Sequence, residues 1–258
     1  MEEDAEVQVI EKPKRETFES FDKKVFPSAP FCPGCGSLIG LKIALQAIKN
    51  PILIANGHIA SLCGSVPMLV FPDAAAAAQA AAKTADATKN TIVCFSGSSE
   101  TFSSLNSLIK AASAGSKIIY ICCNENALGA KISKIMSMHA EYAASAAISH
   151  YEDYAKKLKK ASERSGFSFI DLLAPCPQQG MFDTSNTVLV SSMAVETCAW
   201  PLYEVENKKL SLSAIPSAPE PAERYLEMIS AGGADRQKVQ EKINEEWKLL
   251  REGRLLRH

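Results

Sequence analysis

Eight cysteines in a chain of 258 residues are the side chains best placed to do chemistry here. The most informative string is Phe31-Cys-Pro-Gly-Cys-Gly36. A C-x2-C pair on a Pro/Gly turn lets two thiolates converge on one metal or cluster, because the small residues permit a tight backbone. Taken alone it is equally half of a zinc site. Cys63 stands in a loop between Leu62 and Gly64, after the first expected strand and its turn. Cys176 lies between Pro175 and Pro177, directly after the last expected strand of the sheet. Proline after a loop cysteine suits a cluster ligand, since it shapes the turn and withdraws a competing donor. Spacing alone leaves both a four-thiolate site and unrelated cysteines open. Cys94, Cys122 and Cys123 fall in apolar, strand-like runs and Cys198 in a helical pattern, which reads as simple burial.

Other catalytic signals are sparse. His58 and His139 fall near expected loop ends and His150 precedes a helix, and each reads as structural or solvated. No nucleophile triad is recognisable. With 47% hydrophobic and 22% charged residues, the chain can bury the core of one large domain with appendages. A net charge of −1 gives no electrostatic reason to expect nucleic-acid or acidic-membrane binding. The first residues are too charged for a secretory signal, and no run approaches the roughly 18 apolar residues of a membrane span. The expected location is cytoplasmic, where thiols stay reduced and a disulfide framework is not expected.

The elements that must position the cysteines alternate. Residues 1–30 read as a polar arm that orders against a partner. Leu38, Leu41, Leu45 and Ile48 recur at helical spacing over Gly36–Asn50, and Pro51 ends that helix. Ile52–Ala55, Thr91–Phe95, Ile118–Cys123 and Phe167–Leu173 read as buried strands. Helices are expected over Asp73–Ala87, with Asp73 as N-cap, and over Thr101–Ala114 and Glu152–Ser165. The lysines near 156–160 read as a solvated helix face. Alternation of this kind predicts an α/β fold, a doubly wound and mainly parallel sheet. Ligands gather at the carboxyl ends of such strands, which singles out the loops Ser96–Thr101 and Asn124–Lys131. A helix over Val188–Ala199 and a hairpin over Pro201–Leu212, turning at 206–208, follow. Ile215–Pro221, with three prolines, reads as a linker before a charged terminal helix over Gln237–Leu250. The expected division is a polar arm over 1–30, an α/β domain over 31–214 and a C-terminal linker and helix over 215–258.

The CPGCG string resembles the β subunit of archaeal-type pyruvate or 2-oxoacid:ferredoxin oxidoreductases. Three further stretches agree: 169–177, a strand ending in a cysteine between prolines; Ala194-Val-Glu-Thr-Cys-Ala-Trp-Pro-Leu-Tyr-Glu204; and the closing segment Pro221–Trp247. The resemblance implies a thiamine-diphosphate-binding fold. It also implies a [4Fe–4S] cluster on Cys32, Cys35, Cys63 and Cys176, with Cys63 in a shifted local context. A diphosphate and Mg²⁺ site would lie on this chain, completed by an α-type subunit, and electrons would pass to ferredoxin during oxidative decarboxylation of a 2-oxoacid.

The sequence departs from the family around the thiamine position. The family's Gly-Asp-Gly is replaced by Gly97, Ser98 and Ser99, which removes a charge and adds bulk where backbone should meet phosphate. The family's Asp-Asn-Glu-Ala reads Asn124-Glu-Asn-Ala127, so Glu125 and Ala127 mark the second degenerate loop, with Glu125 a candidate replacement for the lost charge. The loops after Ala127 and after Cys63 are shortened. Three readings follow: a cluster-bearing electron-transfer subunit whose thiamine site is impaired or lost, a fully active divergent β subunit, and a structural zinc protein on the same four thiolates.

Overall fold

The computed structural model describes residues 32–55, 68–70, 73–84, 89–229 and 235–255. In chain order they form α1 (Gly36–Ala47), β1 (Pro51–Ala55), β2 (Met68–Val70), α2 (Ala74–Thr84), β3 (Thr91–Gly97), α3 (Ser98–Ser103) and α4 (Leu105–Ser113). There follow β4 (Ile118–Asn124), α5 (Ser133–Met136), β5 (Tyr142–Ala147), α6 (Tyr151–Ser162), β6 (Ser168–Leu173) and α7 (Pro177–Gly180). A 3-10 turn over Thr184–Asn186 leads into α8 (Thr187–Glu196), β7 (Leu202–Glu206), β8 (Lys209–Ala214), α9 (Ala222–Met228) and α10 (Arg236–Arg251).

The eight strands make one sheet in the order β2-β1-β3-β4-β6-β5-β7-β8. The first six pair in parallel, and β7 and β8 join antiparallel at the edge. Apolar residues on both faces of β3 and β4 explain the arrangement, because a strand buried on both sides needs helices above and below. Val93, Phe95, Ile119, Ile121 and Cys123 face Leu41 and Leu45 of α1 and Tyr154 and Leu158 of α6. Ile92, Cys94, Ile118, Tyr120 and Cys122 face Ala74, Ala75 and Ala78 of α2 and Leu108 of α4. Alanines on α2 let it approach the sheet closely, and Asp73 Oδ1 caps it by accepting from Ala76 N at 2.9 Å. A third core gathers Trp200, Val190, Tyr225 and Ile243, so α8, α9 and α10 pack together beyond the sheet.

The α/β expectation and the hairpin are borne out, the latter turning through Asn207 and Lys208, both at positive φ as a tight hairpin turn requires. Several details differ. β5 is not anticipated, because Tyr-Ala-Ala-Ser-Ala-Ala carries no β-branched residue, yet all six residues are buried between β6 and β7. There β propensity measures fit to a crowded site, and small side chains fit. The expected helix over Thr101–Ala114 starts at Ser98 and is interrupted at Ser104. Cys198 lies beyond α8, at φ 57, and not within the helix. Lys157 is the clearest correction. It is 1% exposed, donating to Ser145 O at 2.7 Å, Asp153 Oδ2 at 2.5 Å and Ser213 Oγ at 2.7 Å, while Lys156 and Lys159 do face solvent. The arm 1–30, His58 and residues 85–87 of the expected second helix lie outside the described residues.

Candidate functional site

Two glycines set the cysteine turn. Cys35 N donates to Cys32 O at 3.2 Å, closing it. Gly34 sits at φ +70, and a Cβ there would overlap the Thr184 carbonyl oxygen. Thr187 Oγ1 donates to Gly34 O at 2.7 Å, fastening the turn to the start of α8. Gly36 packs on the segment that carries Cys176: a Cβ on it would stand 2.5 Å from Pro175 O and 2.6 Å from Ala174 C. Gly34 needs both the positive φ and the missing side chain that glycine offers, and helical Gly36 needs the missing side chain alone.

Cys35 is the N-cap of α1 and, like Cys32 and Cys176, is half-buried. Burial pushes its thiol up, the backbone N–H groups of Leu38 and Ser37 pull it down, and the neighbouring Cys176 and Cys32 push it up again. The donor set is chemically suited to iron or zinc, since thiolates receiving backbone N–H bonds are stabilised as ligands. Among the described residues, no three histidine, cysteine or acidic side chains stand close enough to hold a metal ion. Cys63 lies outside the described residues. Cys94, Cys122, Cys123 and Cys198 are buried, as their sequence contexts suggest. His139 is exposed, and half-buried His150 is the N-cap residue of α6, its ring nitrogen 3.0 Å from Ser149 Oγ.

The loops after β3 and β4 do meet at the carboxyl end of the sheet, Ser98 Oγ donating to Glu125 Oε2 at 3.4 Å. Several of their polar groups are engaged within the chain. Asn124 Nδ2 turns inward to Asp171, whose buried carboxylate also accepts from Ser133 N at 2.9 Å and Ser133 Oγ at 2.8 Å. Ala127 N donates to Tyr225 OH at 3.1 Å, and Leu128 N to Asn126 Oδ1 at 2.8 Å. Beside Gly97, a Cβ would meet Glu100 Oε2 at 2.6 Å and Glu125 Oε1 at 4.0 Å. A phosphate charge brought to about 4 Å from either carboxylate would be repelled by roughly 4 kcal/mol at an effective dielectric of about 20. The loops of Gly97, Ser98, Ser99, Glu125 and Ala127 thus present carboxylate oxygens at the end of β3.

Sequence reasoning missed Thr187 and Tyr225, because their partners lie 153 and 98 residues away. Asp171 carried a local signal, as the lone acid in the apolar run 167–173. Its burial pushes the carboxyl up despite its donors.

Comparison with known proteins gives the chain its place. No family model matches it. Pyruvate synthase subunit PorB of Methanothermobacter thermautotrophicus is 29% identical over 243 residues, covering 76% of this chain and 84% of the relative. Ketoisovalerate oxidoreductase subunit VorB of Pyrococcus furiosus is 35% identical over 124 residues, covering 45% of this chain and 40% of that protein. The solved 2-oxoglutarate:ferredoxin oxidoreductase of Magnetococcus marinus matches at a TM-score of 0.51 and 17% identity, over 82% of this chain and 92% of that chain. The chain is thus similar to β-type subunits of 2-oxoacid:ferredoxin oxidoreductases. Its fold is the α/β fold of the thiamine-diphosphate-binding type. Among its described residues, no helix is long and apolar enough to cross a membrane.

Proposed function

We propose that this β-type subunit serves a pyruvate or related 2-oxoacid:ferredoxin oxidoreductase complex by holding a [4Fe–4S] cluster on Cys32, Cys35, Cys63 and Cys176, with its own thiamine diphosphate and Mg²⁺ position out of use. The carrying observation is the packing of Gly36 on Ala174 and Pro175, which ties the turn of Cys32 and Cys35 to the backbone leading into Cys176. Chain segments far apart in sequence are held together where the family resemblance puts cluster ligands. When bound, such a cluster supplies one-electron transfer, at a potential set by burial and hydrogen bonds to its sulfurs. The chain's part is to half-bury the thiols and to give Cys35 the N–H groups of Leu38 and Ser37.

The partners that follow are an α-type subunit, which completes the complex, and a ferredoxin or ferredoxin-like subunit as electron acceptor. The engaged loop groups around Gly97 and Glu125 favour this reading over a fully active thiamine-binding subunit. Iron and acid-labile sulfide analysis of anaerobically purified protein, with EPR of the reduced form, tests it. About four irons and four sulfides per chain are expected. Stoichiometric zinc without iron would overturn the cluster in favour of a structural zinc site. Saturable thiamine diphosphate binding by the wild type would overturn the second half of the proposal.

A further inference from the structure

Two carboxylates from different loops converge over one glycine. Glu100, on α3, and Glu125, beyond β4, both approach the position a Gly97 side chain would take, with oxygens 2.6 and 4.0 Å from it. Ser98 Oγ holds Glu125 there at 3.4 Å. Among the described residues neither acid has a cationic partner.

The backbone beneath them is regular. Gly97 has extended φ −73 and ψ 164 and stays in register with Cys123 of the neighbouring strand. Thr101 Oγ1 donates to Gly97 O at 2.6 Å and lies 3.2 Å from Tyr120 OH, which fixes the turn out of the sheet. The strand end is in place, and what fills the space before it is negative charge on side chains.

We infer that Glu100 and Glu125 are the residues that exclude a diphosphate from this loop, by charge and not through a collapsed backbone. The inference rests on the reading that the thiamine position is out of use, and it names the cause. Loss of the family's aspartate removes a Mg²⁺ ligand, but it does not by itself repel an anion. Two carboxylates without a cationic partner among the described residues do, and their effect is screened by salt where the loop is open to solvent. Glu100 is exposed and Glu125 partly so, which makes both replaceable without disturbing the core.

The test is calorimetric titration of thiamine diphosphate with Mg²⁺ into the full chain, together with any copurifying partner, comparing wild type with Glu100→Gln and the double variant Glu100→Gln/Glu125→Gln. Wild type is expected to give no saturable binding. The double variant is expected to bind saturably, at least about tenfold more tightly than the detection limit that wild type fails to reach, with Glu100→Gln between them, and the gap between single and double variants should narrow as salt is raised. Should the double variant misfold, as judged by circular dichroism, the exposed Glu100→Gln carries the comparison. Variants that bind no better than a non-binding wild type overturn this inference and leave the lost-thiamine reading standing. A gain that salt does not alter also overturns it, since the obstruction would then be steric. Tight binding by the wild type overturns both.

Discussion

Gly36 lies so close to Pro175 that no side chain fits between them; a Cβ would stand 2.5 Å from the Pro175 carbonyl oxygen. The obstacle is backbone, which cannot rotate aside as a flexible side chain would. Gly36→Ala is therefore expected to push the cysteine turn off the Cys176 segment and to cost about 1–3 kcal/mol, the usual range for overpacking a tight site. Iron content should fall with it. Gly115→Ala is the control: unlike helical Gly36 it sits at positive φ (+63), and it has nothing within 4 Å of its Cβ position. It should cost about 1–2 kcal/mol for the left-handed backbone alone and leave iron unchanged. Urea denaturation and iron analysis of both variants decide the matter, and equal iron loss in the two would sink it.

The cysteines divide into two groups with different expected losses. Cys32→Ser and Cys176→Ser each remove a half-buried thiol of the turn region and should abolish most iron binding while costing little stability in the metal-free chain. Cys63→Ser should do the same. Cys94→Ala removes a fully buried sulfur from the face covered by α2 and should destabilise by roughly 1 kcal/mol through the small cavity left, with iron retained. Iron loss in Cys94→Ala matching that in Cys176→Ser would show that the metal responds to general destabilisation and not to ligand removal.

Much of this architecture was legible because it is local. The CPGCG turn, the cysteine between prolines, the hairpin at Asn207 and the apolar runs of β3, β4 and β6 announce themselves within a few residues. β5 did not, since Ala and Ser are chosen there for lack of room and not for strand preference. Lys157 did not either: Lys156, Lys159 and Lys160 beside it suggested solvent, and only the folded chain puts Ser213, 56 residues away, against its ammonium group. The thiamine position was half legible. The substitutions at Ser98 and Glu125 could be read from sequence, but that Tyr225 takes the Ala127 N–H, and that Glu100 joins Glu125 over Gly97, depends on tertiary contacts.

Lys157 yields its own prediction. Its ammonium group satisfies Ser145 O, Asp153 and Ser213 at once while 1% exposed, so Lys157→Met fills the volume but leaves those acceptors without their donor. A cost of about 1–3 kcal/mol is expected. Lys156→Met, on the exposed face of the same helix, should stay within about 0.5 kcal/mol of wild type. Denaturant midpoints compare them, and indistinguishable midpoints would refute the buried role.

Glu246 links the terminal helix to the loop beyond β4 and to α5, contacting Lys131 Nζ at 2.7 Å and Lys134 Nζ at 2.8 Å. Burial alone would raise its carboxyl, but the two lysines outweigh burial and hold it below the ordinary glutamate value of 4.5. Because the folded-state value is the lower one, the folded protein binds this proton less readily than the unfolded chain. The resulting stability is fully present above the ordinary glutamate range and is lost as pH falls through the depressed value. Glu246→Gln should thus cost about 1.5–3 kcal/mol at neutral pH, the range for hydrogen bonds to charged groups. Below the ordinary glutamate range the gap between wild type and variant should close, because the wild-type carboxyl becomes protonated too. Urea melts of both proteins across that interval provide the check, and a gap that stays constant down to acid pH would show that the two lysines do not stabilise the carboxylate.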